Sequence, residues 1–129
     1  MKTPVFNLNG LILYGEEVLV EYECIPLLYV CKDKNNNFYT ILRVYLDEEE
    51  YLITLNSNED IRTMLLNKIT MRELFLKGKA CWYVKAETAT VQPIDISDVP
   101  KEILPLENDY LDVETSESKK LLQKLSPGE

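Results

Sequence analysis

Histidine is absent from this chain of 129 residues. With it go the commonest general base, the commonest metal ligand and the usual switch near neutral pH. Serine and cysteine triads in their histidine-dependent forms are excluded, as are histidine–carboxylate metal sites. Glycine is scarce too. Gly10, Gly15, Gly78 and Gly128 form neither a phosphate-cradling loop nor a dinucleotide fingerprint, so no cofactor is implied. Lys and Arg number 14 against 22 Asp and Glu, a net charge of −8. Phosphate contacts need clustered cations, so this balance argues against a nucleic-acid partner and against an anionic membrane surface. It suits a basic protein partner, or plain solubility. No apolar run approaches the ~20 residues of a membrane-spanning helix. Met1-Lys2-Thr3-Pro4 does not read as a secretory leader.

Closely spaced cysteines are also missing. Cys24, Cys31 and Cys81 are an odd set with no near pair, which reads as reduced thiols in a bacterial cytosol. A structural zinc site needs about four Cys or His ligands, so no metal is expected and the thiols read as small buried hydrophobes. A catalytic thiolate needs a cationic neighbour. Only Cys31 has one, at Lys32, and adjacent strand residues point to opposite faces.

What is present is an ordinary globular composition, 46% apolar and 28% charged. One α+β domain over residues 1–112 is expected, followed by a C-terminal helix and tail over 113–129. Between Glu16 and Cys24 apolar residues alternate at Val18, Val20, Tyr22 and Cys24, which predicts a half-buried strand. Pro26 interrupts, and a second strand starts near Leu27. Asp33-Lys34-Asn35-Asn36-Asn37 predicts a turn, because asparagine tolerates the left-handed conformation. A long strand from Phe38 to Leu46, an acidic turn at Asp47-Glu48-Glu49-Glu50 and a short strand from Tyr51 to Leu55 continue an antiparallel meander.

Asn56 or Ser57 can cap a helix with Ile61, Met64 and Leu65 on one face. Thr70 and Glu73 have capping-box spacing, with Ile69 and Leu74 at the staple positions, and Gly78 ends that helix. Ala80 to Ala86 returns to strand. Thr90 to Ile96 predicts an edge strand, because Pro93 lacks a donor. Thr115 or Ser116 can start a last helix with Leu121, Leu122 and Leu125 as its stripe, before the tail Ser126-Pro127-Gly128-Glu129. The expected fold is a mainly antiparallel meander sheet of four to six strands, with two short helices inserted before a late strand. An SH3-like small barrel with a helical insertion is the alternative.

Two features carry functional interest. The acids concentrate in Asp47-Glu48-Glu49-Glu50 and between Asp95 and Glu117. The second segment holds eight acids, including Asp95, Asp98, Glu107, Asp109 and Asp112, against the single base Lys101. Four consecutive acids lack the spacing and the turn glycine of a calcium loop and read first as a solvated hairpin end. Eight tyrosines are the second feature. Tyr22, Tyr29, Tyr39, Tyr45, Tyr51 and Tyr83 fall on predicted strands, as sheet residues or as an exposed platform.

The stretch "EYECIPLLYVCKDKNNNFY", then "KITMRELFL", "CWYV" and "VPKEILPLENDYL", resembles a family of small bacterial domains of unknown function. The likeness covers about residues 16–112 and rests on Tyr22, Pro26, Leu28, Asp33, Tyr39, Arg72, Leu74, Tyr83, Pro105 and Tyr110. It implies no catalytic residue. The function expected is a non-enzymatic acidic interaction module of bacterial or phage origin, such as an immunity or inhibitor protein, working in the cytoplasm on a basic partner through the acids named above. A small-ligand or enzymatic domain with a tyrosine- and carboxylate-lined pocket is the rival, and self-association through a sheet edge or the C-terminal leucines a third possibility.

Overall fold

A computed structural model describes residues 4–125 of the chain. Seven strands lie in sequence order in one sheet: β1 Pro4–Leu8, β2 Leu11–Tyr22, β3 Ile25–Lys32, β4 Phe38–Arg43, β5 Glu50–Asn56, β6 Ala80–Lys85 and β7 Thr90–Pro93. Every neighbouring pair is antiparallel. The α+β meander stands, but its strands number seven rather than four to six. The addition is at the start, where Asn9 and Gly10 take φ of 56° and 107° and close a two-residue hairpin between Leu8 and Leu11. Asn-Gly at that spacing is the strongest short-range hairpin signal, because both central residues need positive φ.

The sheet curls into a nearly closed barrel. Its concave face packs on itself: Leu8, Leu13, Cys31, Tyr39, Ile41, Ile53 and Val84 form one buried cluster, with Phe6, Tyr29, Tyr51 and Trp82 against it. Phe6 on β1 meets Tyr51 on β5 edge-on, ring centroids 5.1 Å apart, and stacks on Tyr29 of β3 at 6.4 Å. The outer face of the central strands carries the larger core, with Leu28, Val30, Phe38, Leu52 and Cys81 from the sheet. Helices α1 Asn58–Leu65, α2 Met71–Leu76 and α3 Ser116–Leu125 supply Ile61, Met64, Leu65, Leu74, Phe75, Leu121 and Leu125 to it.

The helix starts follow the local chemistry. Ser57 Oγ accepts from the Asp60 N–H. Thr70 Oγ1 accepts from the Glu73 N–H at 3.1 Å while Glu73 Oε1 accepts from the Thr70 N–H at 2.9 Å, a complete capping box. Thr115 Oγ1 accepts from the Ser118 N–H. Gly78 follows α2 for a different reason than expected: it does not adopt the left-handed conformation, and a Cβ there would come within 2.9 Å of Thr54 Cβ. The helix and the sheet meet too closely for a side chain.

β2 departs from its apparent phase. Irregular pairing with β3 between Gly15 and Glu17, and again between Val18 and Val20, shifts the alternation. Leu13 therefore faces the concave core while Leu19, six positions on, joins the helix-side core. Tyr22 is exposed, and Glu23 and Cys24 form the hairpin turn with φ of 48° and 67°. Cys24 is thus exposed, against the expectation of three buried thiols, whereas Cys31 and Cys81 lie on opposite faces of the sheet in separate cores. Burial pushes both of their thiols up to about 12. β3 begins at Ile25 and runs through Pro26, and β7 is the edge strand that Pro93 predicts. The tail from Ser126 to Glu129 and the first three residues lie outside the described residues.

Candidate functional site

The two acidic segments have different surroundings. Asp47, Glu48 and Glu49 are exposed on the β4–β5 connection, and Glu50 is half-buried at the start of β5. Arg43, the last residue of β4, holds this loop by its backbone: Nε donates to the Tyr45 carbonyl at 2.9 Å and Nη2 to the Leu46 carbonyl at 3.3 Å. The Ala86 N–H donates to the Glu49 carbonyl at 2.9 Å, which brings the β6–β7 turn alongside. Glu50 Oε1 accepts from the Tyr83 hydroxyl at 2.6 Å. A hydrogen bond to Glu50, then the negative charges of Glu50, Asp47 and Glu87, hold the Glu48 carboxyl above the usual carboxylate range. Among the described residues, no ion pair involves Asp47, Glu48, Glu49, Glu50 or Glu87. These carboxylates make no ion pair, although Lys85 stands opposite Glu50 in the β5–β6 register and the Arg43 guanidinium lies over the Tyr51 ring.

The second segment is a strap. Val99, Leu104 and Leu111 are buried in the helix-side core, and Ile94, Ile96, Ile103 and Val113 pack against it. The strap is pinned to α2: Arg72 Nε donates to the Pro105 carbonyl at 2.6 Å, Nη2 to the Lys101 carbonyl at 3.0 Å, and the Met71 N–H to the Asp109 carbonyl at 3.2 Å. Several of its acids serve the chain itself. Asp95 Oδ1 accepts from the N–H and hydroxyl of Ser97, which hold its carboxyl below the usual range. Asp112 Oδ1 accepts from the Glu114 N–H, and Glu107 lies 3.8 Å from Arg72 Nη1. Asp98 and Asp109 are exposed. Nor do these acids converge. Asp95 lines a groove with Lys79 and Trp82, Asp109 another with Arg43 and Tyr45, and Asp112 a third with Glu21 and Glu117.

The tyrosines do not share one face. Tyr22 and Tyr45 are exposed, Tyr45 beyond the end of β4. Tyr39 is buried, and its hydroxyl donates to Asp33 Oδ2 at 2.9 Å. Asp33 is a structural carboxylate at the base of the β3–β4 turn, accepting from the N–H groups of Asn35 and Asn37 as well. Burial alone would raise its pKa; the bonds from Asn37, Tyr39 and Asn35 outweigh it and hold the carboxyl low. Tyr29 and Tyr51 instead line a cleft of about 330 Å³ at the barrel seam. It is also lined by Val5, Phe6 and Asn7 of β1 and by Val84 and Val91, with Glu49, Ala86 and Ala89 at one end. Burial raises the Tyr29 hydroxyl well above the usual phenol range.

This cleft brings Glu49 of the acidic loop beside two of the tyrosines. Sequence reasoning missed it because it depends on β1, and Asn9-Gly10 was the signal that could have supplied that strand. No group of three or more Cys, Asp or Glu among the described residues is placed to hold a metal ion. No helix among them is long and apolar enough to cross a membrane. The chain matches no protein-family model, no curated protein and no solved structure.

Proposed function

We propose that the chain is a non-enzymatic, acidic interaction module of the bacterial cytosol that binds a basic protein partner, in the manner of an immunity protein or an inhibitor of a nucleic-acid enzyme. The observation that supports this is the carboxylate group of Asp47, Glu48, Glu49, Glu50 and Glu87: a hydrogen bond to Glu50, then the charges of Glu50, Asp47 and Glu87, raise Glu48, and no ion pair among the described residues relieves that crowding. A cationic patch on a partner would relieve it, and complementary charge speeds encounter and fixes orientation. The strap acids contribute less to this reading, because Asp95, Glu107 and Asp112 already have partners within the chain.

The test is affinity capture at low salt with the wild type and with a Glu48→Lys/Glu49→Lys variant, followed by association rates of the captured protein over a salt series. A basic partner that the reversed variant fails to capture, with association slowing as salt rises, supports the proposal. A partner held equally by both proteins and indifferent to salt refutes it. The seam cleft favours a second reading, a small-ligand site, since Tyr29, Tyr51 and Glu49 bring polar groups into an apolar recess.

A further inference from the structure

The sheet curls toward a barrel, but its edge strands β1 and β7 do not pair with each other. Each of the seven strands is antiparallel to the next, so β1 and β7 run the same way. They cannot close on one another as another antiparallel pair. One further strand between them, antiparallel to both, would complete an eight-stranded up-and-down barrel.

Both edges are prepared for it. Leu8 and Leu11 flank a two-residue turn and so form a hydrogen-bonded pair, which leaves Asn7 with its N–H and C=O turned away from β2. On the other side the Ile94 N–H donates to the Cys81 carbonyl at 3.0 Å. Counting back along the register through Tyr83 and Gln92, Val91 turns its N–H and C=O away from β6. No described strand pairs with either free edge. Asn7 and Val91 line the same cleft, whose floor is Phe6, Tyr29, Tyr51 and Val84. The floor is apolar and aromatic, which suits alternate side chains of an inserted strand. At one end stand Glu49 and the β6–β7 turn that carries Glu87, with Glu48 beside them.

We infer that this seam is the docking site for an extended, basic segment of a partner protein, added as an eighth strand between β1 and β7. Backbone bonds to Asn7 and Val91 supply alignment, an apolar side chain enters the cleft between Phe6, Tyr29 and Tyr51, and a Lys or Arg at one end meets Glu48, Glu49 and Glu87. Strand addition of this kind draws affinity from main-chain bonds and specificity from pockets for alternate side chains. The inference rests on the proposed acidic interaction reading and adds the mode of binding and the partner's shape to it.

The probe is a synthetic nonapeptide that alternates Lys or Arg with Val or Thr, titrated into the full ¹⁵N-labelled chain and followed by amide shifts and hydrogen exchange. The same peptide N-methylated at alternate backbone nitrogens is the control, since it keeps the charge and removes donors. The expected result is that the Asn7 and Val91 amides shift and gain protection, and that N-methylation weakens binding about tenfold or more, the effect of losing one or two hydrogen bonds. Shifts confined to the Asp47–Glu50 loop, equal for both peptides, overturn the seam and leave the acidic reading standing. Seam binding that the Glu48→Lys/Glu49→Lys variant retains in full keeps the strand-addition site but refutes its acidic recognition. Protection of Asn7 and Val91 without peptide, together with a dimer in sedimentation, makes the occupant a second copy and overturns the assignment. No binding by the peptide at all also overturns it.

Discussion

The loop at Asp47–Glu50 and the strap from Asp95 to Glu117 are alike in composition and opposite in physical situation. In the strap, acids alternate with buried anchors. Val99, Leu104 and Leu111 seat it in the core, Arg72 grips its carbonyls, and Asp95 and Asp112 satisfy nearby N–H groups. In the loop the backbone is fastened by Arg43 and Ala86, but Asp47, Glu48 and Glu49 face solvent beside Glu50 and Glu87. Charge density therefore says little about role. A carboxylate that accepts hydrogen bonds from its own chain is a structural group, and one held against other carboxylates is available for a cation.

The largest effect that would sharpen this contrast is expected at Arg72. Arg72→Ala removes two charge-assisted bonds that pin the strap and should cost about 2–3 kcal/mol in urea unfolding. An unchanged midpoint would break the comparison, since the strap would then not depend on its anchor. Thr70→Ala comes next. It removes half of the capping box at the start of α2, the helix that carries Arg72, and should cost about 1 kcal/mol.

Acid titration should then separate the two kinds of carboxylate by sign. Asp33 and Asp95 are held below their ordinary value of 3.8, so the stability they supply is fully present above pH 3.8 and is lost as pH falls through their lower folded values. Glu48 is raised above 4.5 by its hydrogen bond to Glu50 and by neighbouring negative charge, so the cost of its ionised form is present above that raised value and is relieved as pH falls through it. Stability measured from pH 6 to pH 2 should accordingly show Asp33→Asn with a shallower acid loss than wild type. Glu48→Gln should be no less stable than wild type at pH 6, and any advantage should vanish near pH 4. The smallest effect on the fold is expected from Glu48→Lys/Glu49→Lys, because exposed positions away from caps and cores tolerate substitution. Its thermal midpoint should not fall, and a clear drop would move the loop into the structural class with the strap.

Much of the fold was legible where local chemistry decides the outcome. Ser57 and the Thr70–Glu73 box announce α1 and α2, Asp33 to Asn37 announces a turn, and Pro93 marks an edge strand. What was not legible depends on long-range register. The irregular pairings in β2 move Leu13 and Leu19 to opposite faces, so period-two reading fails there. Glu23-Cys24 makes a hairpin turn without turn residues, and only the pairing of Tyr22 with Ile25 imposes it. The site was legible in part. The loop acids stand out in the sequence, but their meeting with Glu87, and the cleft that Glu49 shares with Tyr29 and Tyr51, belong to the curled sheet.

Pairing each strand with its successor also bears on how the chain acquires its shape. Most of the sheet can grow by hairpin closures between near neighbours in sequence, which are fast elementary events. The distant closure is the docking of α3, where Lys124 Nζ reaches Glu17 Oε2 at 2.8 Å. During synthesis every strand has emerged before that helix exists. Until it arrives, Leu19 and the helix-side core lack the cover of Leu121 and Leu125. Helix α3 thus acts as a late latch on an otherwise assembled sheet. Pulse-labelled hydrogen exchange should find the β3–β4 and β4–β5 amides protected before those of α3.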